Sequence, residues 1–178
     1  VTTRAHTNIA LVKYWGKADP NLMLPQTSSL SLTLDQFYTD TTVEFDSRLT
    51  RDMVQINDQL LATPASQKVV DFLNIVREQS GQSAFAHVTS VNHVPTAAGL
   101  ASSASAFAAL AGAASRAAGL KLTPRALSRL ARRGSGSATR SIYGGFVEWQ
   151  AGSDDHTSLA IPLQETVDWP IAVVALVL

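Results

Sequence analysis

Cysteine is absent from all 178 residues, which excludes a disulfide framework and any thiolate metal site. A reducing compartment fits that absence, and a cytoplasmic location is expected. Neither sign of charge is in excess: 14 Lys and Arg offset 14 Asp and Glu. The chain is therefore no polyanion binder by bulk charge, and no nucleic-acid partner is expected. No apolar run approaches the length of a membrane span, and no signal peptide is visible, so no membrane partner is expected either. Histidine is scarce, and His6, His87, His93 and His156 have no metal-like spacing. What remains is a chain with 46% hydrophobic residues, long enough for one sizeable core or two small ones.

A local absence is sharper. Residues 79–147 contain no Asp or Glu, while Arg116, Lys121, Arg125, Arg129, Arg132, Arg133 and Arg140 all fall among them. A cationic region in a neutral chain points to an anionic ligand. The plainer reading is a solvated arginine face paired with acids elsewhere, and for Arg125 and Arg129 that reading is preferred. Arg140 differs because it lies in Gly134-Ser-Gly-Ser-Ala-Thr-Arg140-Ser, a small-residue, hydroxyl-rich turn at a helix start. Ser135 and Ser137 can donate to anion oxygens, and a guanidinium grips a carboxylate or phosphate through two parallel bonds.

A second such turn lies within residues 95–109, Pro-Thr-Ala-Ala-Gly-Leu-Ala-Ser-Ser-Ala-Ser-Ala-Phe-Ala-Ala. Strand, tight loop and helix start would aim several backbone N–H groups at one point. Gly99 lets the loop turn without a Cβ penalty, and Ser102, Ser103 and Ser105 add hydroxyls where an anion would sit. The same stretch also reads as an ordinary N-cap before a buried alanine helix. Lys13 and Lys17, flanking Tyr14-Trp-Gly16, make a third anion-friendly place. The usual P-loop pattern and the protein-kinase signatures are both missing. A helix terminus gives an anion about 0.3–1 kcal/mol, up to about 2 when partly buried, whereas micromolar binding takes roughly 8 kcal/mol. Lysines, serines and Mg²⁺ must therefore share a nucleotide with the loop.

The remaining pattern predicts α+β, with strands grouped first and helices later against one sheet. Extended segments are expected at 1–5 and 8–14, with a turn at 15–20. Leu30, Leu32 and Leu34 alternate with Ser31 and Thr33 as a half-buried strand, and a Thr- and Val-rich strand at 39–45 should pair with it. A short strand at 54–57 precedes an Asn57-Asp58 turn. Thr63-Pro64 is expected to open a helix that Gly81 closes, with Thr63 as N-cap and Pro64 at the first position. Strand 84–94 feeds the central loop. Helices then run from Gly99 to about Ala118 and from Thr123-Pro124 to Gly134, and a short one ends at Gly144-Gly145. In the Thr123–Gly134 helix, Leu127, Leu130 and Ala131 should face inward, and Arg125, Arg129, Arg132 and Arg133 outward. Strands are expected at 146–150, 158–162 and 171–178. The three indoles, Trp15, Trp149 and Trp169, read as packing. The last segment, apolar to its end, is expected to be a central strand with further chain after Leu178.

Three stretches carry a resemblance: Asn8-Ile-Ala-Leu-Val-Lys-Tyr-Trp-Gly-Lys17, Pro95-Thr-Ala-Ala-Gly-Leu-Ala-Ser-Ser103, and Gly134-Ser-Gly-Ser-Ala-Thr-Arg-Ser-Ile-Tyr-Gly-Gly145. In order and spacing they resemble the diphosphomevalonate decarboxylases of the GHMP kinase superfamily. The central loop alone would indicate only the superfamily; the other two stretches point to the decarboxylase branch. The resemblance implies a ribosomal protein S5 domain 2-like α+β domain, a mixed sheet covered by helices, spanning residues 1–178, with a C-terminal GHMP domain to follow. It implies ATP-dependent decarboxylation of mevalonate 5-diphosphate with Mg²⁺, and a homodimer. By position, Tyr14, Lys17, Ser135, Gly136 and Ser137 would hold the substrate diphosphate, and Arg140 would orient its carboxylate with support from Asn8. Lys13 and Ser103 would serve ATP phosphate placement, with Ala97, Ala98, Gly99, Leu100, Ala101, Ser102 and Ser103 as the cradle. The family's catalytic Asp belongs to the C-terminal half and has no counterpart here, so this stretch of chain by itself is expected to be inactive. Two rival readings stay open: another small-molecule kinase of the superfamily, such as a mevalonate or phosphomevalonate kinase, and an RNA-binding module using the arginine face.

Overall fold

The computed structural model describes residues 1–94 and 102–174. One mixed sheet organises them. Its spine is β4, Ser29–Asp46, an 18-residue strand. Strand β1, Thr2–Val12, runs antiparallel along β4, with breaks in register between His6 and Asn8 and between Ala10 and Val12. β4 also pairs with β7, Phe85–His93, through residues 38–46, and with β8, Phe146–Trp149, through residues 29–32. Beyond β7 lie β5, Met53–Ile56, paired in parallel, and β6, Gln59–Leu60. Beyond β8 lies β9, Ala160–Gln164. A separate two-stranded hairpin joins β2, Lys17–Asp19, to β3, Leu24–Pro25.

Three helices build the core against the sheet. In α1, Gln67–Ser80, the residues Phe72, Leu73 and Val76 are fully buried. Gly81 closes it with φ +73°, a left-handed conformation that costs glycine nothing. Helix α2, Ser102–Ala117, is buried nearly all round by small residues, including Ala104, Ala108, Ala109, Ala111, Ala113 and Ala114. Small side chains let its axis approach the sheet closely: a Cβ on Gly112 would lie 2.7 Å from the Thr3 side chain. Helix α3, Pro124–Gly134, begins as the sequence predicts, with the Thr123 hydroxyl accepting from the Ala126 N–H. A short 3-10 helix, Gly136–Ile142, follows.

Several expectations are corrected. The segments 30–34 and 39–45 do not pair with each other; they are two halves of β4, because β1, β7 and β8 supply the partners. On its first half Ser29 and Ser31 are buried at 2% and 0% exposure, and of the leucines Leu32 is buried while Leu30 and Leu34 are half-buried. Thr63-Pro64 lies in a turn before α1, where the Ala62 and Pro64 carbonyls accept from the N–H groups of Ser66 and Gln67, and Ser66 is the N-cap. The predicted turn at 15–20 contains β2. Trp149 is buried as expected, but Trp15 and Trp169 are exposed, Trp169 stacking on Phe146. Residues 171–174 form no strand and are exposed; 175–178 lie outside the described residues. Arg132 is fully buried, not solvated, because Asp155 and three backbone carbonyls receive its guanidinium.

Candidate functional site

The site grows from the junction of α3 and the 3-10 helix. Helix α3 stops where Ser135 turns extended, φ −155°, while its N–H still donates to the Ala131 carbonyl. The Ser135 carbonyl then accepts from Ala138 at 2.9 Å and starts the next turn. That compact reversal leaves the Ser135 and Ser137 hydroxyls 3.4 Å apart and half-buried. Gly136 sits between them under the Trp149 ring. A Cβ there would meet Trp149 at 2.9 Å and the Tyr14 hydroxyl at 3.1 Å. Tyr14 itself packs edge-on against Trp149, with ring centroids 4.8 Å apart.

One turn further on, Arg140 is 2% exposed. Its Nη1 donates to the Ser29 hydroxyl at 2.5 Å, and its Nη2 donates to the Asn8 carboxamide oxygen at 3.2 Å. The Asn8 Nδ2 donates in turn to Ser141 Oγ at 2.7 Å and to the Ser137 carbonyl at 3.1 Å. These partners are all neutral. Among the described residues, no carboxylate pairs with Arg140. Burial pulls its guanidinium down to about 10 from the ordinary arginine value, with Tyr14 opposing slightly. A buried cation without a counter-ion is costly, and an incoming anion relieves that cost.

Lys13 and Lys17 flank Tyr14 in the chain, and Tyr14 packs on Trp149. Lys13 follows β1 and Lys17 opens β2; both are exposed, and neither makes a salt bridge among the described residues. Ser102 and Ser103 begin α2 and are exposed. Ser105, expected to face an anion, is instead fully buried and exchanges a 2.8 Å hydrogen bond with Thr39, tying α2 to β4. Ala97, Ala98, Gly99, Leu100 and Ala101 lie outside the described residues, and the cradle expected there with them. No group of His, Cys, Asp and Glu suited to a metal ion occurs among the described residues. A cavity of about 320 Å³, lined by residues 51–53, 60–63 and 66, shares no residue with this site.

The structure thus joins Asn8, Tyr14, Gly136, Ser137 and Arg140 through direct contacts. It adds Ser29 and Ser141, which sequence reasoning passed over, and Trp149, which it read as packing alone. The signal for Ser29 was present, since a serine on the buried face of a central strand requires a polar partner.

A family model described as the diphosphomevalonate decarboxylase-like N-terminal domain matches residues 5–160. The human diphosphomevalonate decarboxylase is 42% identical over 96% of this chain and 46% of its own length. The Saccharomyces cerevisiae enzyme is 39% identical over 93% of this chain and 46% of its own length. Among solved structures, the mevalonate diphosphate decarboxylase of Enterococcus faecalis is 58% identical with a TM-score of 0.89, over 92% of this chain and 51% of that one. A related structure, MDDEF in complex with MVAPP, AMPPCP and magnesium, is 58% identical with a TM-score of 0.88, over 92% and 50%. The chain spans about half the length of the curated relatives it matches. On the match over 5–160, with Asn8, the serine turn and Arg140 assembled as described, the chain belongs to the diphosphomevalonate decarboxylase-like N-terminal domain family.

Proposed function

We propose that the protein carrying this domain converts mevalonate 5-diphosphate and ATP to isopentenyl diphosphate, ADP, phosphate and CO2. The observation that carries the reading is Arg140, buried and held only by neutral groups, which supplies a dry positive charge for one carboxylate. The half-buried hydroxyls of Ser135 and Ser137, the Gly136 backbone, Tyr14 and Lys17 take the diphosphate of the same substrate. Lys13 and Ser103 serve ATP phosphate placement at the start of α2, with loop residues 97–103 as the cradle. ATP supplies the phosphoryl group that makes the 3-hydroxyl a leaving group, and magnesium is held chiefly by phosphate oxygens.

Bond accounting assigns Arg140 its task. The C3–O bond breaks with its electron pair leaving on phosphate, and the C–CO2 bonding pair becomes the new double bond. Pairing with Arg140 stabilises the carboxylate that is being lost, so the guanidinium cannot drive CO2 release by charge. Its work is orientation, aligning the C–CO2 bond with the departing phosphate. Asn8 and Ser29 fix the plane of the guanidinium for that purpose. The Asp that contacts the 3-hydroxyl in this family falls in the half of the relatives' length that this chain does not span. The residues 1–178 alone therefore bind phosphates weakly and turn nothing over. A homodimer, a cytoplasmic location and the lack of a nucleic-acid partner belong to the same reading.

The test is CO2 release by the full-length protein given ATP and mevalonate 5-diphosphate. Stoichiometric CO2 and ADP support the proposal. Phosphorylated product without CO2 would instead mark a small-molecule kinase, and salt-dependent RNA retention without turnover would mark an RNA-binding module.

A further inference from the structure

Arg132 is the most fully buried charged residue of the described chain, at 0% exposure, yet it lies outside the arrangement just described. Its guanidinium reaches three segments far apart in sequence. Nε donates to the Leu22 carbonyl at 2.9 Å, 110 residues away. Nη1 donates to the Ser158 carbonyl and to the Asp155 carbonyl, and Nη2 pairs with the Asp155 carboxylate at 2.5 Å. Arg129 pairs with the other oxygen of the same carboxylate.

The position of these contacts gives them a functional sense. Leu22 lies in the turn of the β2–β3 hairpin, whose first residue is Lys17 and whose Leu24 is buried. Arg132 lies on α3 three residues before Ser135, where the helix ends in the serine turn. One planar cation therefore bolts the hairpin that presents Lys17 to the helix that launches Ser135 and Ser137. β2 and β3 pair with each other and not with the main sheet, so no sheet ladder anchors the hairpin; burial of Leu24 and Pro25 and the Arg132 bond to Leu22 do. A further backbone bond joins Gln26 to Trp15 at 3.3 Å, also within this segment.

We propose that Arg132 is a positioning residue that fixes the Lys17 hairpin against the Ser135–Ser137 turn and so sets the spacing of the diphosphate subsite. The inference rests on the diphosphate reading of that turn. It requires the fork of arginine, because the single ammonium of a lysine at 132 pairs with the Asp155 carboxylate, the stronger charged acceptor, and gives up the neutral Leu22 carbonyl. Arg132 touches no reacting atom, so its loss acts on diphosphate affinity and leaves the ATP side alone.

The test uses the full-length protein and Arg132→Lys, with Asp155→Asn as a comparison that keeps the bond to Leu22. Amide hydrogen exchange is followed over residues 17–26 at a temperature where all three proteins are folded. Arg132→Lys is expected to accelerate exchange selectively in that hairpin and to raise the KM for mevalonate diphosphate about tenfold, with the KM for ATP and kcat near normal. Asp155→Asn is expected to lower the thermal midpoint without selective loosening of the hairpin. Unchanged hairpin exchange in Arg132→Lys overturns the inference, whatever the activity. Faster hairpin exchange in a protein whose wild type releases no CO2 upholds the tether and refutes only the decarboxylase reading. Should Arg132→Lys not fold, native-state exchange of the wild type decides. Hairpin amides that share the opening free energy of α3 uphold the tether, and hairpin amides that open while α3 stays closed overturn it.

Discussion

Asn8 and Arg140 stand 132 residues apart in the chain, and the Asn8 carboxamide oxygen accepts from both Nε and Nη2 of Arg140, at 3.4 and 3.2 Å. The same amide donates through Nδ2 to Ser137 and Ser141. One side chain of β1 therefore orients the guanidinium and braces the serine turn.

Substituting Arg140→Ala in the full-length protein should lower kcat at least about 100-fold, the loss expected when a reacting bond is no longer aligned. The fold should persist. Asn8 and Ser29 lose a charge-assisted partner, at roughly 1–3 kcal/mol, but a buried charge without a counter-ion is removed as well. Steady-state CO2 release and a thermal melt check both halves. Near-normal turnover would contradict the assigned role.

Gly136 has no room for a methyl group. An alanine Cβ would meet the buried Trp149 ring at 2.9 Å and the Tyr14 hydroxyl at 3.1 Å. Gly136→Ala should cost about 1–3 kcal/mol of stability by overpacking and should raise the KM for mevalonate diphosphate by displacing Tyr14. A variant with unchanged stability and unchanged KM would show that the turn yields more easily than this packing implies.

Ser103→Ala should raise the KM for ATP more than that for mevalonate diphosphate. Ser103 is exposed at the start of α2, whereas Ser135 and Ser137 belong to the turn that leads into Arg140. Initial-rate kinetics with each substrate varied in turn decide the matter. The reverse pattern would exchange the two subsites.

The Asp155 bridge gives the domain an acid limit. Burial pushes the Asp155 carboxyl up, but the guanidiniums of Arg129 and Arg132 together hold it below its ordinary value. A carboxylate depressed in the folded state contributes stability that is fully present above its unfolded pKa, about 3.9. That contribution is lost as pH falls through the folded value. Asp155→Asn should remove this part of the acid dependence and cost about 3 kcal/mol at neutral pH, because Arg132 then stays buried without its counter-ion. Urea melts at neutral pH and in acid, for both proteins, provide the measurement.

Punctuation made much of the fold legible. Thr123-Pro124, Gly81 and Gly119 mark ends that depend on local backbone chemistry, and these appear where the sequence places them. Arg140 stood out because its turn is rich in small and hydroxyl residues. The misreadings share a cause. Hydrophobic periodicity assigns a charged residue to the outside, and it cannot see that Asp155 and the carbonyls of Leu22 and Ser158 converge on Arg132. Nor can it see that Ser29 and Ser105 turn inward to meet Arg140 and Thr39. Those partners lie 23 to 111 residues away, so only the assembled sheet reveals them.

A crystal structure of the full-length protein with mevalonate 5-diphosphate bound tests the central claim most directly. The substrate carboxylate should lie within about 3.2 Å of a terminal nitrogen of Arg140, with its diphosphate on Ser135, Ser137 and Lys17. A carboxylate bound elsewhere, with Arg140 still contacting only Asn8 and Ser29, would contradict the account.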